Sequence, residues 1–198
     1  TEEDFYKACR AASILGTLQA GYTDFKFLSE TSRKIFEREA LLGVSITGWM
    51  NNPEILFDEK ILEKGAKIVR ETNKEVAGII GINPAARTTC VKPSGNASVL
   101  LQTASGIHAE HSSMYIRNVQ LNKESEITQA IIKSNPYMVE ESVWSAGGTD
   151  VVVSFPILPN KGSIYKDDLI GVKHLELVKK AQKHWVDAGT NVDLCADK

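Results

Sequence analysis

One short stretch near the middle of the chain constrains its fold more than any other: Arg87-Thr88-Thr89-Cys90-Val91-Lys92-Pro93-Ser94-Gly95-Asn96-Ala97-Ser98. β-branched residues lead in, a Lys-Pro-Ser-Gly turn halts the extended run, and Ala97 to Gln102 begin a helix. Pro93 fixes one φ angle and carries no N–H, while Gly95 lets the backbone approach a ligand closely. Ser94, Asn96 and Ser98 add short polar side chains beside backbone N–H groups. Strand, turn and helix start in this order have the chemistry of an anion site, and a phosphate group fits it. Lys92 either adds positive charge there or points to solvent.

The rest of the chain supplies both helices and strands. Residues 3–19 carry apolar side chains at helical spacing, with Phe5, Ala8, Cys9, Ala12 and Leu15 on one stripe and Gly21 beyond the end. A second helix is predicted over 32–42, capped by Ser29 or Thr31 and stopped by Gly43. Asn52-Pro53 opens a short helix. Asp58 caps a longer one with Leu62, Ala66, Val69 and Val76 inward, which Gly78, Gly81 and Pro84 break before a strand at 87–91. Strands follow at 113–121 and 151–157, with a helix around Ile127, Ala130 and Ile131 between them that Pro136 closes. A last helix over 167–188 turns Leu175, Val178, Ala181 and Trp185 inward and stops at Gly189. The segments 134–150 and 158–166 read as loops. The alternation predicts an α/β fold in one domain, with no repeat and no linker.

Composition narrows the function classes. With 23 basic and 25 acidic residues, the net charge of −2 supplies no bulk attraction to nucleic acid, so direct DNA binding is not expected. No apolar run reaches the length of a membrane span, and Thr1-Glu2-Glu3-Asp4 is acidic where a secretory signal is basic, so a cytoplasmic location is expected. Three cysteines, Cys9, Cys90 and Cys195, are too few and too far apart for a disulfide framework or a Cys-x-x-Cys zinc site. Cys9 lies on a helical stripe and Cys90 in a strand, so both read as packing thiols. His108 and His111 stand three apart without a third ligand at a recognisable spacing, so no metal site is expected. His174 and His184 read as a solvated helix face. Tyr115, Arg117 and Val119 share one strand face, which suits a packed tyrosine and a salt-bridged arginine.

The stretch 87–98, with Thr103-Ala104-Ser105-Gly106-Ile107-His108 directly after it, resembles the substrate-phosphate loop of ribonucleotide reductases. Its opening Lys-Pro is closer to the adenosylcobalamin-dependent (class II) enzymes than to the oxygen-dependent ones. Leu42-Gly43-Val44-Ser45-Ile46-Thr47-Gly48, Met114-Tyr115-Ile116-Arg117-Asn118-Val119-Gln120 and Val151-Val152-Val153-Ser154-Phe155-Pro156-Ile157 follow the family in the same order. The resemblance runs from about residue 5 to residue 192 and is sharpest over 85–120. It implies the second part of a ten-stranded α/β barrel, the C-terminal part of a catalytic domain.

What the resemblance implies about activity is reduction of ribonucleotides to 2′-deoxyribonucleotides by thiyl-radical chemistry, with adenosylcobalamin supplying the radical. Substrate phosphates, of a ribonucleoside di- or triphosphate, then fall to Ser94, Gly95, Asn96, Ala97, Ser98 and Lys92, with His108 a candidate for the substrate or cofactor pocket. Asn96 stands where the class II pattern usually has threonine, and an asparagine still donates a hydrogen bond. Asp193-Leu194-Cys195-Ala196-Asp197 echoes the family's Asn-x-Cys-x-Glu radical loop. It follows the phosphate loop instead of preceding it, and both flanking residues differ, so Cys195 reads as an ordinary thiol. No catalytic residue is therefore expected in this chain, which should be inactive alone and depend on the remaining portion of the reductase and a thioredoxin-like reductant. The rival readings are a nucleotide-binding module without chemistry, part of an oxygen-dependent (class I) large subunit, and a hydrolase or transferase using Ser94 or Ser98 with Lys92. The last lacks the Ser-x-x-Lys order and a Ser/His/Asp setting.

Overall fold

Short polar side chains start the helices. Thr1 and Asp4 form a reciprocal capping box at the head of α1 (Glu2–Ala20). Ser29 accepts from Ser32 N at 3.2 Å to open α2 (Glu30–Glu39), and Asp58 from Ile61 N at 3.0 Å to open α4 (Glu59–Ile80), the short α3 (Pro53–Leu56) lying between them. Gly81, with φ of +76°, ends α4. These are the boundaries of a computed structural model that describes residues 1–94 and 97–187. The further elements are α5 (Ala97–Leu100), β1 (Tyr115–Asn122), α6 (Glu126–Ser134), β2 (Val139–Glu141), β3 (Asp150–Ile157) and α7 (Gly171–His184). The described residues divide into two compact units: Thr1–Glu110 with residues 161–187, and His111–Asn160.

In the first unit α1 packs on α4 along a stripe that differs from the apolar one expected. Cys9, Ser13 and Thr17 are the buried positions of α1, while Ala8 and Leu15 are exposed. Small side chains allow the two helices to approach closely. Ser13 Oγ donates to Val69 O at 2.8 Å, and Asn73 Nδ2 to Thr17 Oγ1 at 2.9 Å. A side chain at Gly65 would meet the Phe5 ring and Cys9 Sγ, so that glycine is part of the same fit. Trp49, Met50, Leu62, Val69, Ala181 and Trp185 complete the core, with α7 packed on α4.

Three expectations in this unit are corrected. Residues 87–91 form an isolated parallel bridge, Val44 with Thr89, instead of a strand within a sheet: among the described residues their ladder partner is the short 42–44 segment, with one further backbone bond from Asp187 N to Thr89 O at 3.3 Å. Leu42 N donates to Arg87 O, Val44 N to Thr88 O and Cys90 N to Val44 O, at 3.0, 2.9 and 3.0 Å. The last helix begins at Gly171, a 3-10 turn at Lys166–Asp168 having taken up the expected start, and Leu177 is the leucine packed against the core while Leu175 is exposed. His174 and His184 are not a solvated face. His174 Nε2 meets Ile107 O at 2.9 Å, and the buried His184 places Nδ1 2.7 Å from Glu63 Oε1 and Nε2 3.4 Å from Glu59 Oε2. Ala188, Gly189 and Cys195 lie outside the described residues.

The second unit is a three-stranded antiparallel sheet in the order β1-β3-β2, with Tyr115 opposite Ile157 and Val139 opposite Val153, accompanied by α6. Val151 and Val153 are buried, as the alternation requires. The segment 134–150, read as loop, contains β2. Arg117 donates to Tyr115 Oη at 3.0 Å and none of its contacts among the described residues is an ion pair, which corrects the expected salt bridge. No helix among the described residues is long and apolar enough to cross a membrane.

Candidate functional site

The turn at Lys92 follows the segment 87–91, which pairs with residues 42–44. Asp187 fixes the near end of that segment, its Oδ2 accepting from Thr88 N and Thr88 Oγ1 at 2.6 Å each and from Thr89 N at 3.3 Å. Arg70 Nη1 donates to the other oxygen at 2.9 Å. Burial alone pushes the Asp187 carboxyl up, but these hydrogen bonds outweigh it and hold the group below its ordinary range. Trp185 secures the middle: Nε1 donates to Cys90 O at 3.1 Å, and Trp185 O accepts from Thr89 Oγ1 at 2.6 Å. At the far end Lys92 N donates to Ser45 Oγ at 3.0 Å.

Beyond that anchor the chain is accessible, Lys92 and Pro93 exposed and Ser94 partly buried. Ser94 Oγ lies 2.8 Å from Ser105 Oγ, which brings the two halves of the sequence signature together. Gly106 closes the contact from below. Its φ of +50° is a left-handed conformation, and a Cβ there would stand 3.2 Å from Lys92 O. Gly106→Ala is expected to cost about 1–2 kcal/mol from backbone conformation, plus the crowding of that carbonyl, read as a lower urea midpoint. His108 folds back on the same turn, its N donating to Ser105 O at 2.9 Å with Nδ1 3.0 Å from the same oxygen, and its ring meets His174 edge-on at 6.2 Å.

The remaining predicted residues are distributed unevenly. Ala97 N donates to Ser94 O at 3.0 Å and Ala97 is exposed at the start of α5. Ser98 is buried, 4 % exposed. The helix expected through Gln102 stops at Leu100, because Gln102 adopts φ of +54°. Lys92 extends its side chain across Gly43, so its ammonium rests on the 42–44 segment. Gly95 and Asn96 lie outside the described residues. Cys90 and Cys9 are both buried thiols, and burial pushes Cys9 up to about 12. Neither is a thiolate at neutral pH.

Sequence reasoning missed Asn51, Glu110 and Ser163, buried polar residues that meet beneath this turn. Asn51-Asn52-Pro53 reads as a helix start, which hides the inward amide; Glu110 beside His108 and His111 reads as a weak ligand candidate. Among the described residues no three His, Cys, Asp or Glu side chains stand together as a metal site. A hollow of about 710 Å³ in the first unit is bordered by Leu15, Tyr22, Phe25, Phe36, Leu41 and Ser45. It is apolar and stops short of Ser94.

No protein-family model matches the chain. A probable adenosylcobalamin-dependent ribonucleoside-triphosphate reductase of Dictyostelium discoideum is 27 % identical over 191 residues, 93 % of this chain and 24 % of that protein. The adenosylcobalamin-dependent ribonucleoside-triphosphate reductase of Euglena gracilis is 23 % identical over 84 % of this chain and 23 % of its own length. The relatives of this chain are adenosylcobalamin-dependent ribonucleotide reductases. The crystal structure of a B12-dependent (class II) ribonucleotide reductase shares the fold of this chain, with a TM-score of 0.71 over 89 % of it and 29 % of the reductase, at 18 % identity. The chain spans about a quarter of the length of these curated reductases, so its likeness is to one part of them.

Proposed function

We propose that this chain is the substrate-phosphate-binding part of an adenosylcobalamin-dependent ribonucleotide reductase, acting on a ribonucleoside triphosphate as the names of its relatives state. The observation that carries the reading is the likeness over 93 % of the chain to a reductase of that name. In geometry, the exposed turn with its facing Ser94 and Ser105 hydroxyls supports it. Two hydroxyls 2.8 Å apart share one hydrogen between them and keep the other for an anion. An incoming phosphate oxygen accepts that hydrogen. Anchoring the triphosphate holds the ribose at a fixed distance from the reacting groups, which is the protein's contribution to rate here.

The barrel belongs to the same proposal. Residues 41–45 and 87–91 run parallel, as barrel strands do, and the apolar hollow beside 41–45 suits a further strand from the remaining portion of the reductase. The described residues do not fit a corrinoid: the hollow is open and lined by apolar side chains, and no ligand cluster faces it. Adenosylcobalamin, the source of the radical, is accordingly assigned to the rest of the enzyme, together with the radical cysteine and the contact to a thioredoxin-like reductant. This chain then does its work in the cytoplasm by binding and orienting substrate.

The test uses the complete protein that carries this chain. With adenosylcobalamin, a dithiol reductant and a ribonucleoside triphosphate it should form the 2′-deoxynucleotide, and Ser94→Ala should weaken nucleotide binding by about 1–3 kcal/mol. Nucleotide binding without any reduction would favour the non-catalytic module instead. Unchanged affinity in Ser94→Ala would remove the phosphate role of the turn.

A further inference from the structure

The segment Ala104–Glu110 carries Ser105 and Gly106, which meet the Lys92–Ser94 turn, and both of its ends are held by one side chain. Asn51 Oδ1 accepts from Ala104 N at 2.7 Å, and Asn51 Nδ2 donates to Glu110 Oε1 at 2.8 Å. The second hydrogen on Nδ2 goes to Ser163 Oγ at 3.2 Å. Asn51, Glu110 and Ser163 are 8, 3 and 8 % exposed, so water does not compete for these bonds. Every polar position used on the amide points to a different stretch of chain, which is what fixes a loop's span instead of merely burying it. The neighbouring backbone repeats the pattern: Gly106 N donates to Thr47 Oγ1 at 3.0 Å and Trp49 N to Gly106 O at 3.3 Å. The outer end is paired as well, Glu110 N donating to Ile164 O at 3.0 Å and Lys166 N to Glu110 O at 2.9 Å.

We propose that Asn51, with Glu110 as its acceptor, is a positioning residue of the nucleotide site: it sets the distance between Ala104 and Glu110, and thereby places Ser105 against Ser94. It touches no substrate and acts only through Ser105. This inference rests on the phosphate role of Ser94 proposed above. A buried carboxylate 2.8 Å from a neutral amide suits this task because the geometry has one solution. Truncating the amide releases both ends of the segment at once, and replacing it with a second carboxylate releases the Glu110 end while Ala104 N keeps its acceptor.

The experiment measures KM and kcat per folded molecule in the complete enzyme. Asn51→Asp sets two carboxylates against each other and should raise KM for the ribonucleoside triphosphate about tenfold while kcat changes less than about threefold. Asn51→Ala, which adds no charge, should move KM in the same direction. Asn51→Asp combined with Glu110→Gln exchanges donor and acceptor: the new amide donates to the new carboxylate, Ala104 N keeps its acceptor, and KM should return to within about threefold of the unaltered enzyme. A merely structural role predicts a different outcome, with total activity falling alongside the folded fraction while KM and kcat per folded molecule stay unchanged. That result, or a double variant no better than Asn51→Asp alone, overturns the proposal. A KM raised by Ser94→Ala but not by either Asn51 variant removes the positioning role alone. Failure of the unaltered enzyme to bind nucleotide removes both readings.

Discussion

Trp185→Ala is expected to lower stability by about 4 kcal/mol, one of the two largest single losses foreseen for this chain. The indole is 1 % exposed and packs against Phe5 with ring centres 6.0 Å apart, so its removal leaves a cavity among α1, α7 and residues 87–91. It also deprives Cys90 O of its donor. The second effect can be separated from the first. Trp185→Phe keeps most of the volume and loses only the Nε1 hydrogen bond, so it should cost about 1–2 kcal/mol. Urea unfolding of the complete protein followed by circular dichroism checks both, and equal losses in the two variants would mean that the hydrogen bond, not the packing, dominates. The consequence reaches the candidate site, because Trp185 holds Thr89 and Cys90 and these lead directly into Lys92. Nucleotide affinity should therefore fall in Trp185→Ala under conditions where the protein is still folded.

How much of this was legible beforehand depends on how local the determining interaction is. The cap residues Ser29 and Asp58 act on N–H groups three positions away, so these helix starts follow from neighbours in sequence. The strand at 151–157 was legible for the same reason, its alternation being a property of consecutive residues. The inward face of α1 was not, because α4 selects Ser13 and Thr17 over Leu15 by the closeness of approach that Gly65 permits. Nor was the pairing of residues 87–91 limited by their composition; it is limited by the single partner at 42–44. At the candidate site the turn and its Thr103–His108 sequel were visible as residue types with a chemistry. The Asn51–Glu110 link was not, since it joins residues 59 positions apart and a buried amide has no periodic signature. His184 failed for a related reason: charged neighbours in sequence suggested solvent, and the side chain instead meets Glu59 and Glu63 on another helix.

Asp187→Asn is the companion loss, and its pH dependence identifies the mechanism. The carboxylate is 15 % exposed and accepts from Thr88, Thr89 and Arg70, so the neutral amide forfeits the ion pair and turns a donor toward groups that themselves donate. A loss of about 3 kcal/mol at neutral pH is expected. Because the folded carboxyl titrates below its ordinary value of 3.8, the charged form is what the native state stabilises. Its contribution is fully present above that ordinary value and disappears as pH falls through the lower folded value. The stability gap between the natural chain and Asp187→Asn should thus be flat from about pH 5 to 8 and close in more acidic solution. Hydrogen exchange at the Thr88 and Thr89 amides gives the local readout, with protection dropping roughly a hundredfold in the variant at neutral pH. A gap that failed to narrow at all on acidification would show that Asp187 acts by shape and not by charge. The same amides directly precede Cys90, Val91 and Lys92, so the carboxylate anchors the segment that leads into the turn where Ser94 meets Ser105.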